Sequence, residues 1–176
     1  MVSRRSDARL PGQPSKLGHR LSHPRGDSIP RWVLETEFDE RQPQVGPDGL
    51  WLAYTSNRSD RDEVYVVATS GEGARHTVST NGGSSPRWAP DGSALYYVAD
   101  GTLVAASFST DGGFRVTSRA NVFDGITDLS AVTVNYDVHP TSGDFVVIRQ
   151  GGLDGVTQLV WILNWPEIIQ EMTTGR

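Results

Sequence analysis

With 176 residues the chain is long enough for one domain with a real core, and with no cysteine it excludes disulfides, thiolate metal sites and cysteine nucleophiles. Its 19 glycines, 10 prolines and a hydrophobic share of 36% suit many short strands joined by turns better than helices. The formal charge of −5 divides unevenly: residues 1–31 hold seven basic and two acidic side chains, residues 32–176 nine basic and nineteen acidic.

An acidic body repels nucleic acid and anionic lipid, so neither is expected as a partner of residues 32–176. The basic opening stretch, residues 1–30, has no apolar period and is rich in Arg, Ser, Pro and Gly, the composition of a disordered tail. Arg4 and Arg5 resemble the charged start of a signal peptide, but no apolar run follows, so no export signal is expected. The localisation stays open. Leu159 to Trp165, the most apolar stretch, is far shorter than the roughly 20 residues a membrane helix needs.

From Trp32 onward, short alternating runs are separated by turn residues every 8–12 positions, the pattern of an all-β protein. Arg31 to Thr36 reads as the last strand of a preceding unit. An internal repeat then follows. Pro43, Pro47, Asp48, Gly49 and Tyr54 recur as Pro86, Pro90, Asp91, Gly92 and Tyr97, each 43 residues on. A looser third copy, Asn135 to Ile148, carries Pro140 and Gly143 in a turn one residue longer and lacks the aspartate. Proline presets the first corner of such a turn, aspartate accepts a bond from the nearby backbone, and glycine takes the left-handed position that returns the chain as a hairpin.

The repeat predicts strands near 42–46, 50–56, 62–68 and 74–80 in a first unit, and near 85–89, 94–99, 102–109 and 113–118 in a second. A third has strands near 133–138, 144–149 and 157–163, followed by a short helix over 166–172 with Pro166 at its first position. Leu50, Leu52 and Tyr54 alternate with Trp51, Ala53 and Thr55, as in a strand covered on both faces. About four strands per repeat of 40–50 residues is the spacing of a β-propeller blade. Residues 31–176 are therefore expected to form a partial propeller of about three four-stranded antiparallel blades.

Pro86, Trp88, Pro90, Asp91, Gly92, Leu95, Tyr96 and Tyr97, with Pro43, Pro47, Asp48, Gly49, Leu52, Tyr54 and Ser56, resemble the blade signature of the TolB-like β-propellers, relatives of the WD-repeat propellers. Ala89 and Gly46 stand where that signature has serine. Stretches such as Glu63 to Val66, Asn135 to Val138 and Leu163 to Trp165 are similar to the C-terminal propeller of bacterial chains that begin with a serine/threonine kinase domain. The resemblance implies a non-catalytic interaction or sensor module. Its alternative is a detached propeller of a receptor-type kinase or propeller-gated peptidase whose catalytic part lies elsewhere. No Gly-rich phosphate loop, His-Arg-Asp loop or Asp-Phe-Gly occurs, so kinase activity does not follow for this chain.

Other candidates for chemistry are weaker. Gly82-Gly83-Ser84-Ser85-Pro86 lacks the last glycine of a nucleophile elbow, and His19, His23, His76 and His139 are scattered. Asn57, Ser59, Asp60, Asp62 and Glu63 gather oxygen ligands in one turn but lack the glycine and final glutamate of a calcium loop. Trp51, Trp88, Tyr54, Tyr96 and Tyr97 form either a stacking platform for a sugar or base, or filling between blades. No catalytic residue, cofactor or metal is expected. Partners are expected to be a protein or the missing blades. Because three blades do not close a ring, the first should have an uncovered face presenting Trp51 and Tyr54, a route to self-association.

Overall fold

The computed structural model describes residues 20–21, 31–126, 134–150 and 157–162. Every regular element among them is a β-strand. A two-residue ladder pairs β1 (Arg20–Leu21) with β2 (Arg31–Trp32). The first sheet runs β3 (Glu40–Val45), β4 (Trp51–Ser56), β5 (Glu63–Ala68) and β6 (His76–Thr77). The second runs β7 (Ser84–Trp88), β8 (Ala94–Ala99), β9 (Thr102–Ser109) and β10 (Arg115–Asp124). The third holds β11 (Tyr136–Val138), β12 (Phe145–Gln150) and β13 (Thr157–Ile162). Each sheet is an antiparallel meander in chain order.

The period of two sorts side chains into successive layers. Ala53, Val64, Val66 and Val78 of the first sheet share a core with Leu95, Tyr97, Val104, Ala106 and Phe114 of the second. Alternate residues of the second sheet, including Ala94, Tyr96 and Leu103, pack against Tyr136, Phe145 and Val147 of the third. Both faces of β4 and of β8 are buried, which explains why each is apolar on both sides. The sheets are also bolted together at their first strands. Gln42 breaks the register of β3 at φ 53°, and Ser85, its repeat counterpart, breaks that of β7 at φ 57°. These bulges admit Pro43 and Pro86, which have no N–H to give a ladder. Gln42 Oε1 then accepts the Ser85 amide at 2.7 Å, Trp88 Nε1 donates to the Gln44 carbonyl at 3.0 Å, and the Tyr136 hydroxyl donates to the Ser85 carbonyl at 2.8 Å.

Four expectations change. The last strand of the second sheet, expected over 113–118, runs Arg115–Asp124 because it stays paired with β9 along that strand's whole length. The strand expected over Arg31 to Thr36 is confined to Arg31–Trp32, and its partner is Arg20–Leu21 within the basic stretch. The expected open face of the first sheet is covered: Val33 and Leu34 pack on Leu52, Tyr54, Tyr65 and Val67, and Tyr54 is fully buried. Strand β6 is shorter than predicted, because the Ser79 hydroxyl accepts the Val64 amide at 2.7 Å where a backbone carbonyl would continue the ladder. The helix expected over 166–172 lies outside the described residues. Among the described residues no helix is long and apolar enough to cross a membrane.

Candidate functional site

The repeated turns fold as their residues dictate. In the first, the Gly49 amide bonds the Gly46 carbonyl at 2.8 Å with Gly49 at φ 74°, and Asp48 Oδ1 accepts the Leu50 amide at 2.9 Å. In the second, the Gly92 amide bonds the Ala89 carbonyl at 2.9 Å with Gly92 at φ 75°. Asp91 Oδ1 accepts both the amide and the hydroxyl of Ser93, at 2.9 and 2.7 Å. Those two bonds hold the Asp91 carboxyl below its usual range. The third turn follows Pro140 and is one residue wider: the Gly143 amide reaches the His139 carbonyl at 3.0 Å. The His139 ring replaces the missing aspartate, Nδ1 accepting the Ser142 amide at 3.1 Å.

The first two turns flank a cleft of about 400 Å³ between the first and second sheets. Its rim carries Asp48, Asp91 and Thr110, and its walls are Trp51, Trp88 and Phe108. Behind these rings lies buried Phe114, which meets Trp51 at 5.3 Å, Trp88 at 6.3 Å and Phe108 at 4.8 Å between centroids. Phe114 is tilted to Trp51, edge-on to Trp88 and stacked on Phe108, and this packing fixes the walls. Trp88 is held further by its indole bond to Gln44. Across the cleft the turns nearly touch, since a methyl on Gly92 would meet Pro47 Cγ at 3.4 Å. The two exposed large hydrophobic side chains among the described residues, Val45 and Leu50, flank the first of these turns.

The aromatic candidates therefore divide. Tyr54, Tyr96 and Tyr97 are core residues, whereas Trp51 and Trp88 are half-buried at the cleft. Phe108, Thr110 and the rim role of Asp48 and Asp91 were missed from sequence. A usable signal existed in the repeat, because Ala94 stands 43 residues after Trp51. Accordingly the corresponding cleft between the second and third sheets, about 530 Å³, has Ala94 in that place, with Ala89, Ala105, Ala120 and Tyr96 also among its lining residues.

The oxygen-rich turn does not converge on a point. Asn57 accepts the Asp39 amide, Ser59 meets the Tyr65 hydroxyl, and Asp62 pairs with Arg41. Glu63 is buried, with Ser79, the Gly82 amide and Arg61 as its partners. Among the described residues no three His, Asp or Glu side chains are grouped to hold a metal. The elbow-like Gly82-Gly83 serves this lattice: a methyl on Gly83 would lie 2.5 Å from Ser79 Cβ, so only glycine lets the segment close on β5. Ser84 opens β7, and His139 is engaged by its own turn. No model of a known protein family matches the chain, and no curated protein matches it.

Proposed function

We propose that the sheets of residues 32–162 are successive blades of a TolB-like β-propeller, and that the chain is a non-catalytic module holding a partner at the end marked by the Pro-Asp-Gly turns. The blade reading is supported by like meanders, the first two 43 residues apart, that share cores through alternate side chains. The contact surface is carried by one observation: the exposed Val45 and Leu50 flank the turn whose Pro47 and Asp48 border the aromatic cleft. Apolar side chains grouped in this way favour a protein partner over open water.

Photo-crosslinking from Leu50, with Asn57 at the opposite end of β4 as control, tests this reading in cells that make the protein. The expected result is a discrete protein adduct from Leu50 and none from Asn57. Equal labelling from both positions, or none from Leu50, would remove the assignment. So would turnover of a hydrolase or kinase substrate that follows the purified chain.

A further inference from the structure

We propose that the cleft between the first two turns binds an organic cation, the guanidinium or alkylated ammonium of a basic side chain, with Trp51, Trp88 and Phe108 as walls and Asp48 and Asp91 as counter-charges. The assignment rests on reading the turn end as a contact surface, but not on a closed propeller ring. It names the chemistry that this end recognises.

Burial provides the first argument. Tyr97 and Phe114, in the same inter-sheet core, are sealed from water, whereas Trp51, Trp88 and Phe108 stay half-exposed where the cleft opens. A ring left partly in water offers a π surface, and a cation over that surface is attracted by the ring quadrupole. In the next cleft of the stack Ala94 takes the place of Trp51 beside the buried Tyr96, so filling the gap between sheets does not by itself require a tryptophan at that position.

Charge provides the second argument. Both turn aspartates border the cleft, and no Lys or Arg is among its described lining residues. The basic ring nearby, His76, packs edge-on against Trp51 at 6.2 Å and tilted against Phe114 at 5.8 Å. Asp91 is kept ionised by the Ser93 hydroxyl and amide. Residues 32–176 carry nineteen acidic against nine basic side chains, so the surrounding field attracts cations and repels phosphates and carboxylates. A hard metal ion is a poor occupant, because it wants six or more oxygen ligands and the walls are hydrocarbon. An organic cation satisfies both surfaces, its alkyl part on the rings and its charge between the carboxylates. The turns and the anchored Trp88 indole hold this geometry in advance, which lowers the ordering cost of binding.

The test uses the full chain labelled with 5-fluorotryptophan, with the Trp51 and Trp88 fluorine signals assigned from Trp51→Phe and Trp88→Phe. The probes are N-acetyl-arginine amide and N-acetyl-trimethyllysine amide, against the neutral citrulline and norleucine amides and maltose. Saturable shifts of the Trp51 and Trp88 signals are expected with at least one cationic probe, and which one responds separates guanidinium from ammonium. Asp48→Asn with Asp91→Asn should weaken that binding about fivefold, since each exposed pairing contributes modestly. Asparagine keeps the turn acceptor, so an unchanged thermal melt verifies the fold. The proposal is overturned by no saturable shift with either cation, by equal shifts with citrulline, norleucine or maltose, or by unchanged affinity in the double variant. Failure of crosslinking from Leu50 with these shifts intact would remove the partner-holding module and leave the cleft standing; the reverse would remove the cleft alone.

Discussion

At the scale of single residues, the core depends on phenol rings whose hydroxyls have left water. Tyr54, Tyr96, Tyr97 and Tyr136 all have their ionisation pushed above the usual value of 10.0, in each case chiefly by burial. Tyr136 is buried between the second and third sheets, and its hydroxyl donates to the Ser85 carbonyl that links them. A phenolate could make no such donation. The sign of the pH dependence follows. A tyrosine with a raised folded value contributes stability that is complete below the unfolded value of about 10 and is lost as pH rises through the folded value. The melting temperature is therefore expected to hold steady between about pH 8 and 9.5 and to fall steadily above about pH 10, the unfolded chain then releasing protons that the folded chain retains. Absorbance of phenolate near 295 nm should rise for these four rings only with unfolding. Their titration near pH 10 in a chain that keeps its folded circular dichroism would contradict the burial assigned to them.

At the scale of elements, what was legible in the sequence was whatever a turn or a period of two writes locally. The Pro-Asp-Gly copies fixed where hairpins form, and the strands on either side, β3 with β4 and β7 with β8, lie within two residues of expectation. Strand β10 was harder. Arg115–Asp124 runs ten residues against β9, but it is an exposed sheet edge with two register shifts, so its side chains show no alternation to read. The position of Val33 and Leu34 was hidden for a different reason, since two apolar residues without a period do not say which face they will cover. The cleft was half legible: its tryptophans stood out, while Phe108 reads as an ordinary strand residue until the second sheet brings it beside Trp88 at 5.4 Å. The turn argument makes a quantitative claim. Gly92 sits at φ 75°, where a Cβ meets the following carbonyl, so Gly92→Ala should cost about 1–2 kcal/mol in a denaturant melt. Gly92→Asn should cost less, because asparagine tolerates the left-handed region. Equal stability of the alanine variant and the parent would mean that this turn does not depend on the glycine.

At the scale of the whole molecule, the sheets lack independence. Each shares its core with the next, so the second sheet has no buried face that is its own, and the stack should melt as one unit. The ends decide how such a stack behaves in solution. The sequence suggested that the first sheet would expose an aromatic face, yet Val33 and Leu34 lie over Leu52, Tyr54, Tyr65 and Val67 and leave Tyr54 without solvent contact. The segment acts as a cap two residues wide, entered from the short β1–β2 ladder. Substituting Val33→Ser and Leu34→Ser together keeps the backbone but removes the apolar cover. The lost burial should lower stability by about 2–4 kcal/mol, an upper range because unfolded chains already bury some of this surface. More telling is association: the uncovered face combines two tyrosines with Leu52 and Val67, the kind of patch that drives self-contact when left in water. In light scattering over a concentration series, the mean mass of the double variant is expected to climb with concentration more steeply than that of the parent, while both keep a β-type circular dichroism spectrum. Superimposable scattering curves, with the stability loss intact, would show that Val33 and Leu34 stabilise the first sheet without shielding it, and the role of a cap would have to be withdrawn.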